Sequence, residues 1–160
     1  MSALIKPRLL APMLALVACF ALAGPIIATA SANDSSIIGV VNHWSPIVVK
    51  DEKAIAQAEH AFKHNRKTAP VVASITDEVS DLRAFAKQLK GQSASTKRGG
   101  EGRDDVAAGA TLIANSYAQF ASELKHAGSL TQAQINANKK LEQAGHKKIV
   151  AGITLLQKIA

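Results

Sequence analysis

The chain has 160 residues, a formal net charge of +7 and one cysteine. With 48% hydrophobic residues it can bury a core, while 4% aromatics leave little for the exposed stacking platform of a single-stranded nucleic-acid binder. A lone cysteine excludes a disulfide framework.

The first element is an export signal, residues 1–32. Lys6 and Arg8 lead an uncharged stretch over residues 9–30. Its apolar core spans residues 9–23, and Gly24-Pro25 then breaks the helix. Ala28-Thr-Ala30 and Ala30-Ser-Ala32 place small side chains where a signal peptidase needs them, so cleavage is expected after Ala30 or Ala32. Two alternatives compete. Leu16-Val-Ala-Cys19 fits a lipobox, with Cys19 lipidated, although the apolar residues after it make a poor tether. Residues 9–30 also reach the roughly 20 apolar residues of a membrane anchor. All three readings put the rest of the chain outside the cytoplasm, secreted, periplasmic or membrane-anchored. Membrane contact is then made only through the signal or a lipidated Cys19.

Cleavage removes Cys19, Met1 and Met13, leaving no thiol or thioether to act as nucleophile or metal ligand. It also removes Lys6 and Arg8 without removing an acid, so the mature chain stays modestly basic. That balance suits an anionic neighbour, and it suits an ordinary soluble surface equally well. Asn33-Asp-Ser35 matches an N-glycosylation acceptor, relevant only in a eukaryotic secretory host.

Residues 33–45 show no two-residue alternation and read as an extended N-terminal arm, with Trp44 folding back onto the body. The rest, 46–160, is predicted to be an all-α, single-domain up-down four-helix bundle. The first helix, 46–64, opens at Ser45-Pro46, a good N-cap followed by a proline whose missing N–H costs nothing there. Its inward positions are Val48, Ile55, Ala58 and Phe62, with Glu59 and Lys63 paired on the outer side. The second, 69–90, carries Val72, Ile75, Val79, Leu82, Ala86 and Leu89 at alternating threes and fours, and stops before Gly91. A flexible linker is expected over residues 91–103, rich in glycine and serine.

The third helix, 104–127, has the most regular seam: Val106, Ala110, Ile113, Tyr117, Phe120, Leu124 and Ala127. The fourth, 132–159, has the clearest start, because Thr131 and Gln134 form a capping box and Leu130 and Ile135 a hydrophobic staple. Leu141, Ala144, Ile149, Gly152, Leu156 and Ile159 are its inward set. Phe62, Leu82, Phe120 and Leu156 are expected in one core. The lengths suit an up-down bundle, and the glycines and alanines in the seams allow close approach.

Four constellations bear on function. His60 and His64, four apart, can face one way and grip a transition metal, yet both fall on the outward side of their helix. Glu123-x-x-His126 repeats half of a di-iron pattern, which needs a second Glu-x-x-His and two further glutamates; Glu142 and His146 are four apart and read as an i,i+4 pair. Lys139, Lys140, Lys147 and Lys148 form a basic stripe on the fourth helix, supplemented by Lys97, Arg98 and Arg103. Gly99-Gly100-Glu101-Gly102 lacks the strand a phosphate-binding loop requires, and no serine, histidine and aspartate are grouped as a hydrolase triad.

These observations predict a non-enzymatic exported bundle acting by interaction, at the cell envelope, with no catalytic or cofactor-binding residues and no resident cofactor. Its partner is an unknown protein or an anionic envelope component, with no nucleic acid expected. The alternatives are a transition-metal-binding protein using His60 and His64, and an anionic-surface binder using the Lys139–Lys148 stripe.

Overall fold

A computed structural model describes residues 31–127 and 131–160 of the chain. The export segment, Cys19 and the Leu130 staple contact lie outside the described residues. The fold is all-α: α1 is Ala32–Asn65, α2 Thr68–Lys90, α3 Lys97–Ala127 and α4 Gln132–Gln157. No strand occurs among the described residues, and no described helix is long and apolar enough to cross a membrane.

The first correction concerns residues 33–45, read from sequence as an extended arm. They are helical, and α1 runs through Pro46. An interior proline removes one helical hydrogen bond and costs about 3 kcal/mol. Tertiary packing outweighs that cost. Ile37, Ile38, Val40 and Val41 are buried, and the Trp44 ring stacks on Phe85 of α2 at 6.0 Å. Trp44 Nε1 also donates to Gln88 Oε1 at 2.6 Å. Ser45, assigned as an N-cap, instead donates its hydroxyl to the Val41 carbonyl within the helix.

The expected linker 91–103 also contracts, to residues 91–96, because α3 begins at Lys97. Thr96 caps it, its hydroxyl accepting from the Gly99 N–H at 2.9 Å. The loop is anchored by buried Asp34 of α1, whose carboxylate accepts the Ser95 N–H at 2.9 Å. Burial alone raises the Asp34 pKa. Hydrogen bonds from Thr96, Ser95 and Ser31 outweigh burial and hold it below the usual carboxylate range. Arg103 closes the loop from the other side, donating to the Gln92 carbonyl at 2.7 Å.

α3 and α4 pack backbone against backbone. Gly102, Gly109 and Ser116 recur every seven residues on α3 and meet Gly152, Gly145 and Asn138 on α4 in antiparallel register. A methyl at Gly109 would meet the Gly145 carbonyl oxygen at 2.6 Å, and one at Gly152 would meet the Gly102 carbonyl oxygen at 2.6 Å. The Ser116 hydroxyl donates to the Asn138 carbonyl at 2.9 Å, extending the seam one heptad.

The α3 seam from Val106 to Leu124 is buried as read from sequence, and the Thr131–Gln134 capping box is present. Phe62, Leu82, Phe120 and Leu156 belong to one core. On α4, Ile149, Gly152 and Leu156 are buried as predicted, but the first half of the helix departs from the expected face: Asn138, Glu142 and Gly145 are buried, while Ala144 is exposed and Leu141 half-buried. Glu59, expected on the outer side of α1, is buried as well.

Candidate functional site

Two places in the molecule carry more chemistry than packing requires. One is a groove of about 340 Å³ between α2 and α3. Val72, Thr76, Val79 and Arg83 line it from α2, spaced four, three and four, one stripe beside the buried Ile75–Leu82 seam. Ala118, Ala121, Ser122, Lys125 and His126 line it from α3. The groove exists because α3 presents alanine and serine here, whereas Phe120 and Leu124 fill the neighbouring core. Its floor is apolar and its rim holds Arg83, Lys125 and His126, all exposed, with no acid among the lining residues. The Thr76 hydroxyl is turned to the Val72 carbonyl at 2.7 Å, which leaves the floor less polar than its composition suggests.

The other place is interior. Glu52 and Glu59 of α1, Glu78 of α2 and Glu142 of α4 are all buried, and Tyr117 of α3 lies among them in the charge field of all four. Glu78 has 0% exposure, and neither of its carboxyl oxygens has a hydrogen-bond partner. Burial, followed by the charges of Glu52, Asp51, Glu142 and Asp81, pushes its pKa up to about 9. Burial pushes Glu59 up to about 7, against the opposing pull of Lys63. Asp51 rises to about 6 through burial and a hydrogen bond shared with Asp81. Burial, reinforced by the surrounding carboxylates, carries Tyr117 well above its ordinary value. His146, one turn beyond Glu142, approaches its carboxylate at 3.5 Å.

The residues singled out from sequence are placed as follows. His60 and His64 are exposed neighbours, with ring centroids 5.1 Å apart. Among the described residues, no three histidine, cysteine, aspartate or glutamate side chains stand close enough to hold a metal ion as they are. Glu123 accepts from Gln119 at 3.2 Å, and His126 lies on the groove rim, so the two do not form half of a di-metal site. Lys139, Lys140 and Lys147 are exposed on α4, but Lys148 binds Asp105 of α3 at 2.8 Å, which partly neutralises the stripe.

Sequence reasoning missed the groove and the buried acids. Arg83 and Lys125 carry no motif, and only the register of α2 against α3 brings them to one rim. Glu59 was read as an outer-side partner of Lys63, because an acid four residues from a base fits an outer face equally well; the expected Glu142–His146 pair is present at 3.5 Å, with Glu142 buried.

No protein-family model matches the chain, and neither a curated protein nor a solved structure shows significant similarity to it.

Proposed function

We propose that the protein is a non-enzymatic binding module that works outside the cytoplasm, an up-down four-helix bundle behind an export signal. Its ligand is a small anionic amphiphile seated between α2 and α3. The observation that carries this reading is the groove: an apolar floor with three basic residues on its rim and no acid to oppose them. Val72, Val79, Ala118 and Ala121 take the apolar part. Arg83 and Lys125 take a carboxylate or phosphate head by charge-assisted hydrogen bonds, and His126 adds to them when protonated. The volume is at the small end of ligand sites, which fits one short chain or ring rather than a whole bilayer lipid. The reading also gives the modest positive charge of the chain a location.

The reading of the compartment rests on Lys6, Arg8, the apolar stretch and the two Ala-x-Ala sites. N-terminal sequencing of material from the envelope or medium tests it, with Ser31 or Asn33 expected first. An intact Met1 or an acylated Cys19 would select the anchor or the lipoprotein.

Binding is tested by calorimetric titration of the mature protein with dodecanoate, dodecyl phosphate and uncharged dodecanol. The two anions should bind and dodecanol should not. An Arg83→Gln, Lys125→Gln double variant with an unchanged circular dichroism spectrum should lose at least tenfold in affinity, and added salt should weaken binding further. Equal binding of dodecanol, or affinity unchanged in the double variant, would sink the reading.

A further inference from the structure

We propose that one end of the bundle is a docking surface for an anionic lipid bilayer, formed by Lys63, Arg66, Lys67, Lys125, Lys139 and Lys140. Contacts across the molecule fix which elements meet at each end. Asp34 near the start of α1 binds Ser95 just before α3, Trp44 of α1 binds Gln88 near the end of α2, and Gly102 of α3 lies against Gly152 of α4. One end therefore holds the start of α1, the end of α2, the start of α3 and the end of α4. The opposite end gathers the end of α1, the start of α2, the end of α3 and the start of α4.

Charge separates the two ends. At the first, acids answer the cations: Arg103 pairs with Asp104 at 2.8 Å, Lys148 with Asp105 at 2.8 Å and Lys97 with Glu101 at 3.8 Å. At the second, neither residues 60–76 nor residues 124–141 include an Asp or Glu, and these two stretches hold all six cations of the proposed surface. The six are exposed, and among the described residues no ion pair joins any of them to an acid. Of the acids that border the region, Glu59 and Glu142 are buried and Glu123 accepts from Gln119. Asp77 is exposed, but it lies about 15 Å further along α2 than Lys67. Elsewhere in residues 31–160 acids and bases balance to within one charge, so the net positive charge of the exported chain resides at this end.

Local helix chemistry accounts for only part of this. Lys63 and Lys125 lie in the last turns of α1 and α3, where a cation suits the helix dipole. Lys67 is the N-cap of α2, where the dipole disfavours it, and the first turns of α2 and α4 hold no acid. The charge left over is available to an outside partner.

A bilayer suits the surface better than a nucleic acid. Clusters of about four to eight Lys and Arg are drawn to anionic headgroups. No aromatic ring at this end is placed for base stacking, since Phe62 and Phe120 are buried. The amphiphile groove reaches the same end, where Lys125 and His126 form part of its rim. A protein that takes up one amphiphile gains from resting on the lipids among which such molecules dissolve; this choice of partner rests on the groove reading, whereas the basic surface does not. Among the described residues Val150, near the end of α4, is the exposed large apolar side chain, so contact at the basic end is electrostatic and reversible.

The experiment is co-sedimentation of the mature protein with vesicles of mixed phosphatidylglycerol and phosphatidylcholine, or of phosphatidylcholine alone. The protein should bind the anionic vesicles only, and binding should fall at least tenfold between about 0.1 and 0.5 M salt. A Lys63→Gln, Lys67→Gln, Lys139→Gln, Lys140→Gln variant should stay folded by circular dichroism and lose at least tenfold in affinity. A Lys50→Gln, Lys53→Gln, Lys87→Gln, Lys90→Gln variant, with the same charge removed elsewhere, should stay within about twofold of the wild type. The proposal is overturned if the anionic vesicles are not bound, if phosphatidylcholine binds equally, if the two variants lose affinity alike, or if a DNA duplex binds more tightly than the vesicles at equal salt. Dodecanoate titration of the wild type reports the groove separately. Vesicle binding without dodecanoate binding would remove the groove reading and uphold the docking surface, and the reverse would remove the docking surface alone.

Discussion

The α3–α4 interface and the α1–α2 interface join long antiparallel helices by opposite means. Between α3 and α4 the side chains all but vanish, and Gly102, Gly109, Gly145 and Gly152 bring backbone to backbone. Between α1 and α2 large groups hold the helices apart, with Trp44 stacked on Phe85 and Phe62 and Leu82 in the core. Close backbone contact tolerates no added atom. Helices spaced by large side chains leave room for groups that do not pack, and the buried Glu52, Glu59 and Glu78 all sit on the spaced pair. Three of the four buried glutamates therefore lie on the pair separated by large side chains, and the fourth, Glu142, comes from α4.

The largest expected effect removes the spacer itself. Phe85 is fully buried under Trp44. Phe85→Ala should cost about 3–5 kcal/mol in denaturant melts, the range for a core phenylalanine that leaves a cavity. A loss below about 1 kcal/mol would mean that α1 does not rest on α2 through this contact.

Next comes the acid that the spaced pair accommodates. Glu78 has its pKa raised from 4.5 to about 9 in the folded protein. The fold therefore favours the protonated carboxyl. The stability this gives is full below pH 4.5 and drains away as pH rises through about 9. Glu59, raised from 4.5 to about 7, acts in the same direction over a narrower window. In EDTA buffer, stability should fall steadily from mildly acidic to alkaline pH. Glu78→Gln should flatten the slope and stabilise the protein at pH 8 by roughly 2 kcal/mol or more, since each pKa unit corresponds to about 1.4 kcal/mol. At pH 4 the two proteins should converge. A variant less stable than wild type at pH 8 would show that the charged carboxylate is already compensated.

The touching pair gives the next test, through two glycines of opposite expectation. Gly109→Ala places a methyl against the Gly145 carbonyl and Ile149, and overpacking of that kind costs about 1–3 kcal/mol. Gly39 of α1 has nothing within 4 Å of the same position. Gly39→Ala should stabilise by about 0.5–1 kcal/mol, because alanine loses less freedom on entering a helix. A stabilising Gly109→Ala, like Gly39→Ala, would show that α3 and α4 do not need the bare backbone at residue 109.

How much of this could be read from sequence differs along the chain. The α3 seam was legible because its large residues repeat at threes and fours without interruption, and the capping box marks the start of α4 chemically. The start of α1 was hidden by Pro46, whose local preference for a first helical turn is overridden by the burial of Ile37, Ile38, Val40 and Val41. The start of α3 was hidden by three glycines that look like a hinge. In place, Gly99 lies against Asp34, and Gly102 packs on Gly152 and Leu156. The groove and the acid cluster depend on the register between helices, which no single helix encodes. Polarity then misdirected the facing: Glu142 is drawn inward because the small residues at 138, 145 and 152 fix which side of α4 meets α3.

The smallest effect tests that facing on α1, where residues 59 and 60 are adjacent and opposed. Glu59 is buried, while His60 is exposed beside His64. His60→Ala removes no core contact, and a surface change of this kind should alter stability by less than about 0.5 kcal/mol. Glu59→Gln should behave differently. It should be nearly neutral at pH 4, where Glu59 is protonated in both states, and stabilising at pH 8, where the wild type must bury a carboxylate raised to about 7. Paired melts at the two pH values check this. A pH-dependent effect at His60 together with none at Glu59 would place the acid on the surface and the histidine inside, reversing the helix and emptying the interior of one of its four glutamates.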